Sequence, residues 1–340
     1  MKEKLKKSLK YLLSASLAII LLWFSFRGVE WDKFWAALGE VHWGFVILSM
    51  AAGSVAFWLR ALRWRRLLLP LDSSISRTTA FNGVNIANIS NFVFPRIGEF
   101  VRCGVIVRRS EPVDTSDPDK KKASYEKVLG TVVLERGWEL LVMLLLLAVV
   151  IFCAFDRYGG FFLTEVWQPM TQKFGGNSWL LVAGVLLLFV AGGYLLWRFR
   201  ESNAFCRKIW SIFRGIGQGF ATCAKMDQKW LFFAYTLLIW MLYWLMSASI
   251  LWAVGDVQFA FGDLNLIDAL FISIIGGLGF AVPVPGGIGA FHYIIALAMT
   301  VVYNAPWEAG IFFATLSHTS QAITQIIFGA GSYAYETLKK

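Results

Sequence analysis

Long apolar runs divide the charged residues of this chain into clusters, and this arrangement limits the possible folds more than any other feature. Of the 340 residues, 57% are hydrophobic and only 16% are charged, whereas about 25% are charged in a typical soluble domain. A helix of roughly 20 apolar residues is long enough to cross the ~30 Å hydrocarbon core of a bilayer. The sequence therefore predicts an all-α, multi-pass membrane protein and excludes a set of ordinary soluble domains.

Six segments have the length and hydropathy of membrane spans, and two more are broken near their middle by Pro and Gly. The predicted spans are residues 9–26, 43–62, 125–153, 178–197, 230–254 and 308–335. The broken segments are residues 78–107 and 268–303. Irregular backbone at membrane depth is tolerated only where protein buries it or where it lines a polar cavity. We therefore predict that each broken segment is a re-entrant hairpin of two half-helices.

The distribution of Lys and Arg predicts the orientation. With a cytoplasmic N-terminus, 27 of the 32 Lys and Arg residues lie inside, Arg136 lies within a span, and four lie outside. This asymmetry follows the positive-inside rule and places both termini in the cytoplasm. The first hairpin then enters from the cytoplasmic side and the second from the outer side. The N-terminal run has no site for signal peptidase, so we expect it to remain as the first span.

The order of these elements occurs twice along the chain. Residues 1–153 and residues 178–335 each contain two spans, a hairpin and a third span. Because each half crosses the membrane an odd number of times, the second half is inverted relative to the first. The sequence thus predicts one membrane domain, residues 1–340, built as an inverted repeat with a substrate site at the repeat interface. A simple bundle with two kinked spans is the alternative.

The first hairpin carries polar residues on both sides of its break. Asn88 precedes the break at Pro95, Gly98 allows the two backbones to approach closely, and Arg96 and Glu99 are within reach on one helical turn. Charges at membrane depth are costly and commonly mark a site. We predict that Arg96 binds an anionic group and that Glu99 holds Arg96 in place. An ion pair that only locks the hairpin is the alternative.

Beyond Glu126 and Lys127 at its start, the predicted span 125–153 contains three further charged residues, namely Glu135, Arg136 and Glu139. Glu135 and Glu139 share a helix face, and Arg136 can pair with Glu139 at a spacing of three residues. Because such charges do not face lipid cheaply, we predict that they point into the cavity or toward Arg96 or Arg102. A purely structural network is again the alternative.

The second span ends in a cluster of arginines around Trp64. The favoured interpretation is a topology anchor with an interfacial tryptophan. The alternative is a headgroup-binding role for Arg60 and Arg63, which share a helix face.

The second hairpin and the last span provide the remaining candidates. The tip around Gly286 and Gly287 exposes backbone amides and begins a half-helix, whose N-terminus is predicted to attract an anion. His292 follows this tip. A polar stripe on the last span is predicted to face the interior and consists of Thr315, His318, Gln321 and Gln325. His292 and His318 can form a pair, but no carboxylate pattern accompanies them, so neither a metal site nor any cofactor is predicted.

These motifs together resemble the membrane region of the lysylphosphatidylglycerol synthases, a family that includes flippase-like integral membrane proteins. The resemblance covers nearly the whole chain, and the pairing of PRIGE with PGGIG carries it. It implies a lipid-binding or lipid-flipping domain of the bacterial inner membrane. Its motif residues are Arg60, Arg63, Pro95, Arg96, Gly98, Glu99, Glu135, Arg136, Pro285, Gly286, Gly287 and Gly289.

Four departures from the family pattern bear on the ligand. The soluble aminoacyl-transfer domain is missing, so synthesis of a lysyl lipid is not expected. His292 stands where family members often have an acid, Glu139 where they have Asp, and His318 where the family pattern has a basic residue.

The leading hypothesis is a flippase or transporter for lipids with an anionic headgroup, without catalytic residues. Its expected partners are membrane lipids; a second copy of the chain and a lipid-modifying protein are left open, and nucleic acid is not expected. Two alternatives belong to other classes. One is a membrane-embedded enzyme with His292 or His318 as base, and the other is a scaffold that docks a partner through the basic loop 198–229.

Overall fold

The computed structural model describes residues 16–110, 123–173, 178–203, 226–255 and 264–339, together with 206–207, 209–210, 214, 257 and 259. The described part is 83% helical and contains no strand, which confirms the all-α prediction. Its helices are α1 (Ser16–Phe26), α2 (Trp31–Glu40), α3 (Trp43–Leu68), α4 (Arg77–Val93), α5 (Gly98–Arg109), α6 (Tyr125–Cys153), α7 (Phe155–Phe162), α8 (Gln168–Lys173), α9 (Ser178–Arg198), α10 (Lys229–Ala253), α11 (Leu266–Gly279), α12 (Ala290–Tyr303) and α13 (Trp307–Leu338).

Four described helices are long and apolar enough to cross a membrane. They are α3, α6, α10 and the segment Pro285–Tyr303, which contains α12; α1 and α11 are shorter and apolar. The predicted spans 178–197 and 308–335 form the helices α9 and α13, which are not among these four. The N-terminal lysines, residues 9–15 of the first predicted span and most of the loop 198–229 lie outside the described residues.

Both broken segments form helical hairpins that turn at the predicted Pro and Gly breaks. The second arm of the second hairpin is not a half-helix as predicted, because it lies in the segment Pro285–Tyr303, which is long and apolar enough to cross a membrane. In the first hairpin, α4 and α5 pack together across a turn at residues 94–97, here called the first tip. The amide of Gly98 donates to Asn91 Oδ1 over 2.8 Å, and a Cβ atom at Gly98 would overlap the Ala87 carbonyl. Only glycine therefore allows this close approach of α5 to α4.

The second hairpin joins α11 to α12 through residues 280–289, here called the second tip. The two tips meet. Gly286, with a φ of 58°, leaves room for the ring of Phe92, which a Cβ atom would strike. Arg96 Nη2 donates to the Ala281 carbonyl over 2.6 Å. The breaks in the two hairpins therefore lie against each other.

The remaining helices surround these hairpins. Helix α3 packs along α10, and α13 packs against both α12 and α4. At one end, Ser110 bonds the Asp72 carboxylate and accepts from the Ala123 amide over 3.0 Å. Burial alone would raise the pKa of Asp72, but hydrogen bonds from Ser110 and Ser74 lower it. These bonds tie the ends of α3, α5 and α6 together.

Candidate functional site

A cavity of about 420 Å³ lies beside the point where the two tips meet. Its polar lining comes from both hairpins and from α3, α6, α10 and α13. The polar and glycine residues that line it are Arg60, Arg63, Asn88, Asn91, Arg96, Glu99, Arg136, Glu139, Tyr243, Ser247, Ser273, Gly276, Gly277, Gly286, Gly287, Ser317, His318, Gln321 and Gln325. An apolar wall that includes Leu140, Met143, Trp240 and Phe280 completes it. The cavity therefore has a charged side and an apolar side.

Glu135 lies behind the charged side, where solvent does not reach it. Its Oε1 accepts from Arg63 Nη2 at 3.3 Å, and its Oε2 accepts from Arg102 Nη1 at 2.6 Å. Both arginines are also buried, and the Arg102 guanidinium lies 4.6 Å from the ring centroid of Trp64. The Glu135 carboxylate of α6 thus joins α3 to α5 of the first hairpin.

Glu139 and Glu99 form the layer that faces the cavity. Glu139 contacts Arg63 at 2.5 Å, Arg136 at 2.7 Å and Arg60 at 3.9 Å. Glu99 Oε1 contacts Arg136 Nη2 at 2.9 Å. The predicted pairing of Arg136 with Glu139 is confirmed. The prediction that Glu135 and Glu139 share a helix face is also confirmed, since both contact Arg63.

These seven residues are called the cavity cluster: Arg60, Arg63, Arg102, Arg136, Glu99, Glu135 and Glu139. With Arg96, five guanidinium groups face three carboxylates, so the described site carries a formal excess of two positive charges. Several buried nitrogens have no hydrogen-bond partner among the described residues, namely Nε of Arg60, Arg63, Arg102 and Arg136, and Nη2 of Arg102. Buried charge without a partner is costly, so the arrangement favours an anionic ligand.

Arg96 differs from the prediction made for it. Glu99 pairs with Arg136, while Arg96 donates to the Ala281 carbonyl. The reason is local geometry: helix α5 begins at Gly98, so Arg96 precedes it and has a left-handed backbone with a φ of 64°. The spacing of three residues therefore does not place Arg96 and Glu99 on one helical turn. Arg96 nevertheless lines the cavity.

The arginine cluster at the end of the second predicted span was interpreted as a topology anchor with an interfacial tryptophan. For Arg63 and Trp64 this interpretation is wrong. Both side chains are fully buried, and Trp64 Nε1 donates to Thr131 Oγ1 over 3.0 Å. Neither residue is an interfacial anchor, because α6 and the first hairpin cover this face of α3. Arg65 does lie at the helix end, where its Nε donates to the Ile75 carbonyl.

The second tip contacts a histidine of α13 through a main-chain carbonyl. His318 Nε2 lies 2.9 Å from the Gly286 carbonyl, and the rings of His292 and His318 are 5.1 Å apart. His292 is buried behind the cavity and its Nδ1 has no partner among the described residues. Within the part of the chain that the structure describes, no group of three or more His, Cys, Asp or Glu side chains is placed to hold a metal ion.

The predicted anion site at the N-terminus of α12 is not formed as expected. The amides of Gly287 and Ile288 donate to carbonyls within the tip itself. Gly289 lies against Leu21 of α1, and the first turn of α12 is buried. Of the tip's glycines, Gly286 and Gly287 reach the cavity.

The polar stripe on α13 is only partly in the cavity. His318, Gln321 and Gln325 line it, and Gln321 Nε2 donates to Ser49 Oγ over 3.3 Å. Thr315 instead bonds the carbonyl of Ile311 in its own helix.

Eleven of the thirteen predicted site residues line the cavity; Glu135 and His292 lie behind it. Sequence reasoning missed Tyr243 and Trp240, because α10 has no charged residue after Lys229 that would mark its inner face. Arg102 was named only as a partner for the charged span. Its position three residues after Glu99 was a signal that both side chains face α6.

Comparison with known proteins gives one result. A family model described as the lysylphosphatidylglycerol synthase TM region matches residues 10–329. The curated proteins include no match to this chain.

Proposed function

The chain belongs to the lysylphosphatidylglycerol synthase transmembrane-region family, which relates it to lipid handling in a membrane, and from this premise we propose that it moves a lipid with an anionic headgroup across the bilayer. The observation that carries the proposal is the excess of positive charge in a cavity formed where two broken hairpins meet. A phosphate group in this cavity would neutralise the positive charge that exceeds the charge of the three carboxylates.

The size of the cavity supports a headgroup rather than a whole lipid. Pockets for small ligands commonly span about 300–1,000 Å³, and this cavity measures about 420 Å³. Two acyl chains do not fit in that volume together with a headgroup. The exposed apolar side chains Leu140 and Phe280 stand at its edge. In the proposed complex the headgroup lies inside, and the acyl chains remain in the bilayer.

Each charged residue has a distinct role in this proposal. Arg96, in the first tip, and Arg136, on α6, bind the phosphate. Glu99 and Glu139 hold Arg136, and Glu135 holds Arg63 and Arg102 behind it. The carboxylates of the cavity cluster are engaged by arginines, so we propose transport rather than catalysis.

The finer topology is part of the same proposal. The two halves, residues 1–153 and 178–335, are inverted repeats that rock against each other around the meeting tips. The protein lies in the bacterial inner membrane with both termini in the cytoplasm, a placement supported by the distribution of Lys and Arg.

A vesicle assay tests the function. The protein is reconstituted in vesicles that contain phosphatidylglycerol with a fluorophore on its acyl chain, and dithionite bleaches the outer leaflet. We expect the protein to move the labelled inner-leaflet lipid outward, so that the bleached fraction exceeds that of protein-free vesicles. Arg136→Gln should remove most of this excess, because it deletes a phosphate ligand. Arg157→Gln, which lies outside the cavity, should retain it.

Labelled phosphatidylcholine provides the control for headgroup charge and should move more slowly. Equal bleaching with and without protein for both lipids would contradict transport. Selective retention of phosphatidylglycerol without movement would instead favour the scaffold alternative.

A further inference from the structure

Arg96 stands apart from the other four arginines of the site. Each of those contacts at least one carboxylate. The hydrogen bond of Arg96 goes to a neutral group, the main-chain carbonyl of Ala281, over 2.6 Å. Its side chain is also exposed and lines the cavity. Among the described residues, Arg96 is thus a cation of the site whose charge no carboxylate balances.

This hydrogen bond joins the two hairpins directly. Ala281 lies in the second tip, two residues after the end of α11, and Arg96 lies in the first tip. The first tip is braced, since the Gly98 amide bonds Asn91 and the backbone of Gly98 lies close to that of Ala87. The second tip contains three glycines with positive φ, Gly286, Gly287 and Gly289, and glycine has more accessible backbone conformations than any other residue. A change in the bond is therefore expected to move the second tip rather than the first.

The carbonyl is a weak partner compared with a phosphate. A guanidinium carries five donors and commonly binds phosphate through two of them, and hydrogen bonds between two ionised groups are roughly twice as strong as neutral ones. Because Arg96 is exposed and already reaches the cavity, a side-chain rotation suffices to exchange one acceptor for the other.

We infer that the Arg96–Ala281 hydrogen bond is a latch between the two tips, and that an anionic headgroup releases it by taking over the Arg96 guanidinium. The inference rests on the proposed function and adds the step that couples occupancy to motion. A ligand shifts a conformational equilibrium only through contacts that differ between the two states. Here that contact is Arg96, bound to Ala281 in the closed state and to phosphate in the released state.

Hydrogen–deuterium exchange of the second tip tests the latch. The purified protein in detergent is measured alone, with dihexanoylphosphatidylglycerol and with dihexanoylphosphatidylcholine. We expect the first lipid to speed amide exchange in peptides that cover residues 280–289, and the second to leave it unchanged. In Arg96→Ala the same peptides should exchange faster without ligand, by about tenfold or more, since a charged hydrogen bond is lost.

A conservative variant separates the latch from general loosening. Arg96→Lys keeps a positively charged donor that reaches nearly as far as the guanidinium nitrogen bonded to the Ala281 carbonyl. Its exchange without ligand should be closer to that of the wild type than to that of Arg96→Ala, and phosphatidylglycerol should still speed it. Arg157→Gln is the matched control, since Arg157 also binds the second hairpin, at Asp268 in the first turn of α11. Its second tip should behave as in the wild type.

Native mass spectrometry of the same samples distinguishes failure of the latch from failure of the function. Phosphatidylglycerol that binds the wild type without any change at residues 280–289 would overturn the latch and leave the proposed function standing. A wild type that neither retains nor moves phosphatidylglycerol would overturn both. Equal exchange in Arg96→Ala and the wild type would show that the bond does not hold the tips.

Discussion

Two ionic clusters among the described residues have the same chemistry, a buried carboxylate bound to arginine, and one of the two faces the cavity. The second, called the distal cluster, consists of Arg157, Tyr158, Asn265 and Asp268 at the start of α11. Its carboxylate, Asp268, is fully buried. It accepts from the Tyr158 hydroxyl at 2.6 Å, from Arg157 at 2.9 Å and from the main-chain amide of Asn265 at 2.7 Å.

The two clusters differ in how completely their charged groups find hydrogen-bond partners within the protein. In the distal cluster one acid meets one arginine, both carboxylate oxygens accept hydrogen bonds, and Asn265 and Asp268 cap α11 reciprocally. In the cavity cluster arginines outnumber acids, and several guanidinium nitrogens have no partner among the described residues. A closed cluster fixes a helix end, whereas an open one leaves donors for a ligand.

The largest effect is expected at the centre of the cavity cluster. Glu135→Gln removes the carboxylate that two buried arginines share. Leaving a buried charge without its partner typically costs about 3–5 kcal/mol, so we expect a large drop in the unfolding temperature, followed by tryptophan fluorescence in detergent. Glu30→Gln, at an exposed pair with Lys33, is the control. An unfolding temperature near that of the wild type would show that the arginines do not depend on Glu135.

A substitution in the distal cluster is expected to lower the stability of the protein without changing how much lipid it binds. Asp268→Asn replaces an acceptor of three hydrogen bonds by a neutral amide, and a buried group left unsatisfied costs about 1–3 kcal/mol. We expect a lower unfolding temperature but unchanged retention of phosphatidylglycerol per folded molecule in native mass spectrometry. Loss of phosphatidylglycerol retention in this variant, at temperatures where it is folded, would contradict the purely structural role of the distal cluster.

The sequence predicts helices and charged positions well because both leave local signals. Apolar runs and the breaks at Pro95 and Pro285 mark the helices and the hairpins. Glu135 and Glu139 carry a charge inside an apolar run, and this contrast alone is enough to identify them. The single-domain organisation of residues 1–340 and the inverted repeat remain predictions.

Partner choice across helices leaves no such signal. Glu99 has Arg96 three residues before it in sequence, yet it pairs with Arg136, because the start of α5 at Gly98 turns Arg96 toward the other hairpin. Trp64 has the sequence context of an interfacial residue, but packing of α6 over α3 buries it. Tyr243 lies in an apolar run whose inner face is set only by tertiary packing.

Arg136 provides the test of ligand binding. Its side chain is 37% exposed and contacts Glu99 and Glu139, while Glu139 keeps Arg63 when Arg136 is replaced. We expect Arg136→Gln to lower the unfolding temperature little and to weaken retention of phosphatidylglycerol about tenfold, the equivalent of one hydrogen bond to a charged group. Retention of phosphatidylcholine should not change. Unchanged retention of phosphatidylglycerol would mean that the charged wall is structural, as the distal cluster is.

Arg157 is the matching position in the distal cluster, and the smallest effect is expected there. Its side chain is also 37% exposed, and it also contacts a carboxylate, over 2.9 Å. In Arg157→Gln the Asp268 carboxylate keeps its bonds from Tyr158 and the Asn265 amide, so the loss should resemble that of a partly exposed ion pair, at most about 1 kcal/mol. Retention of phosphatidylglycerol should equal that of the wild type. Because Arg136 and Arg157 are matched in exposure and in having an acidic partner, different retention in the two variants would trace lipid binding to the cavity rather than to arginine charge in general. Equal loss in both would instead indicate non-specific attraction of anionic lipid to the protein's positive charge.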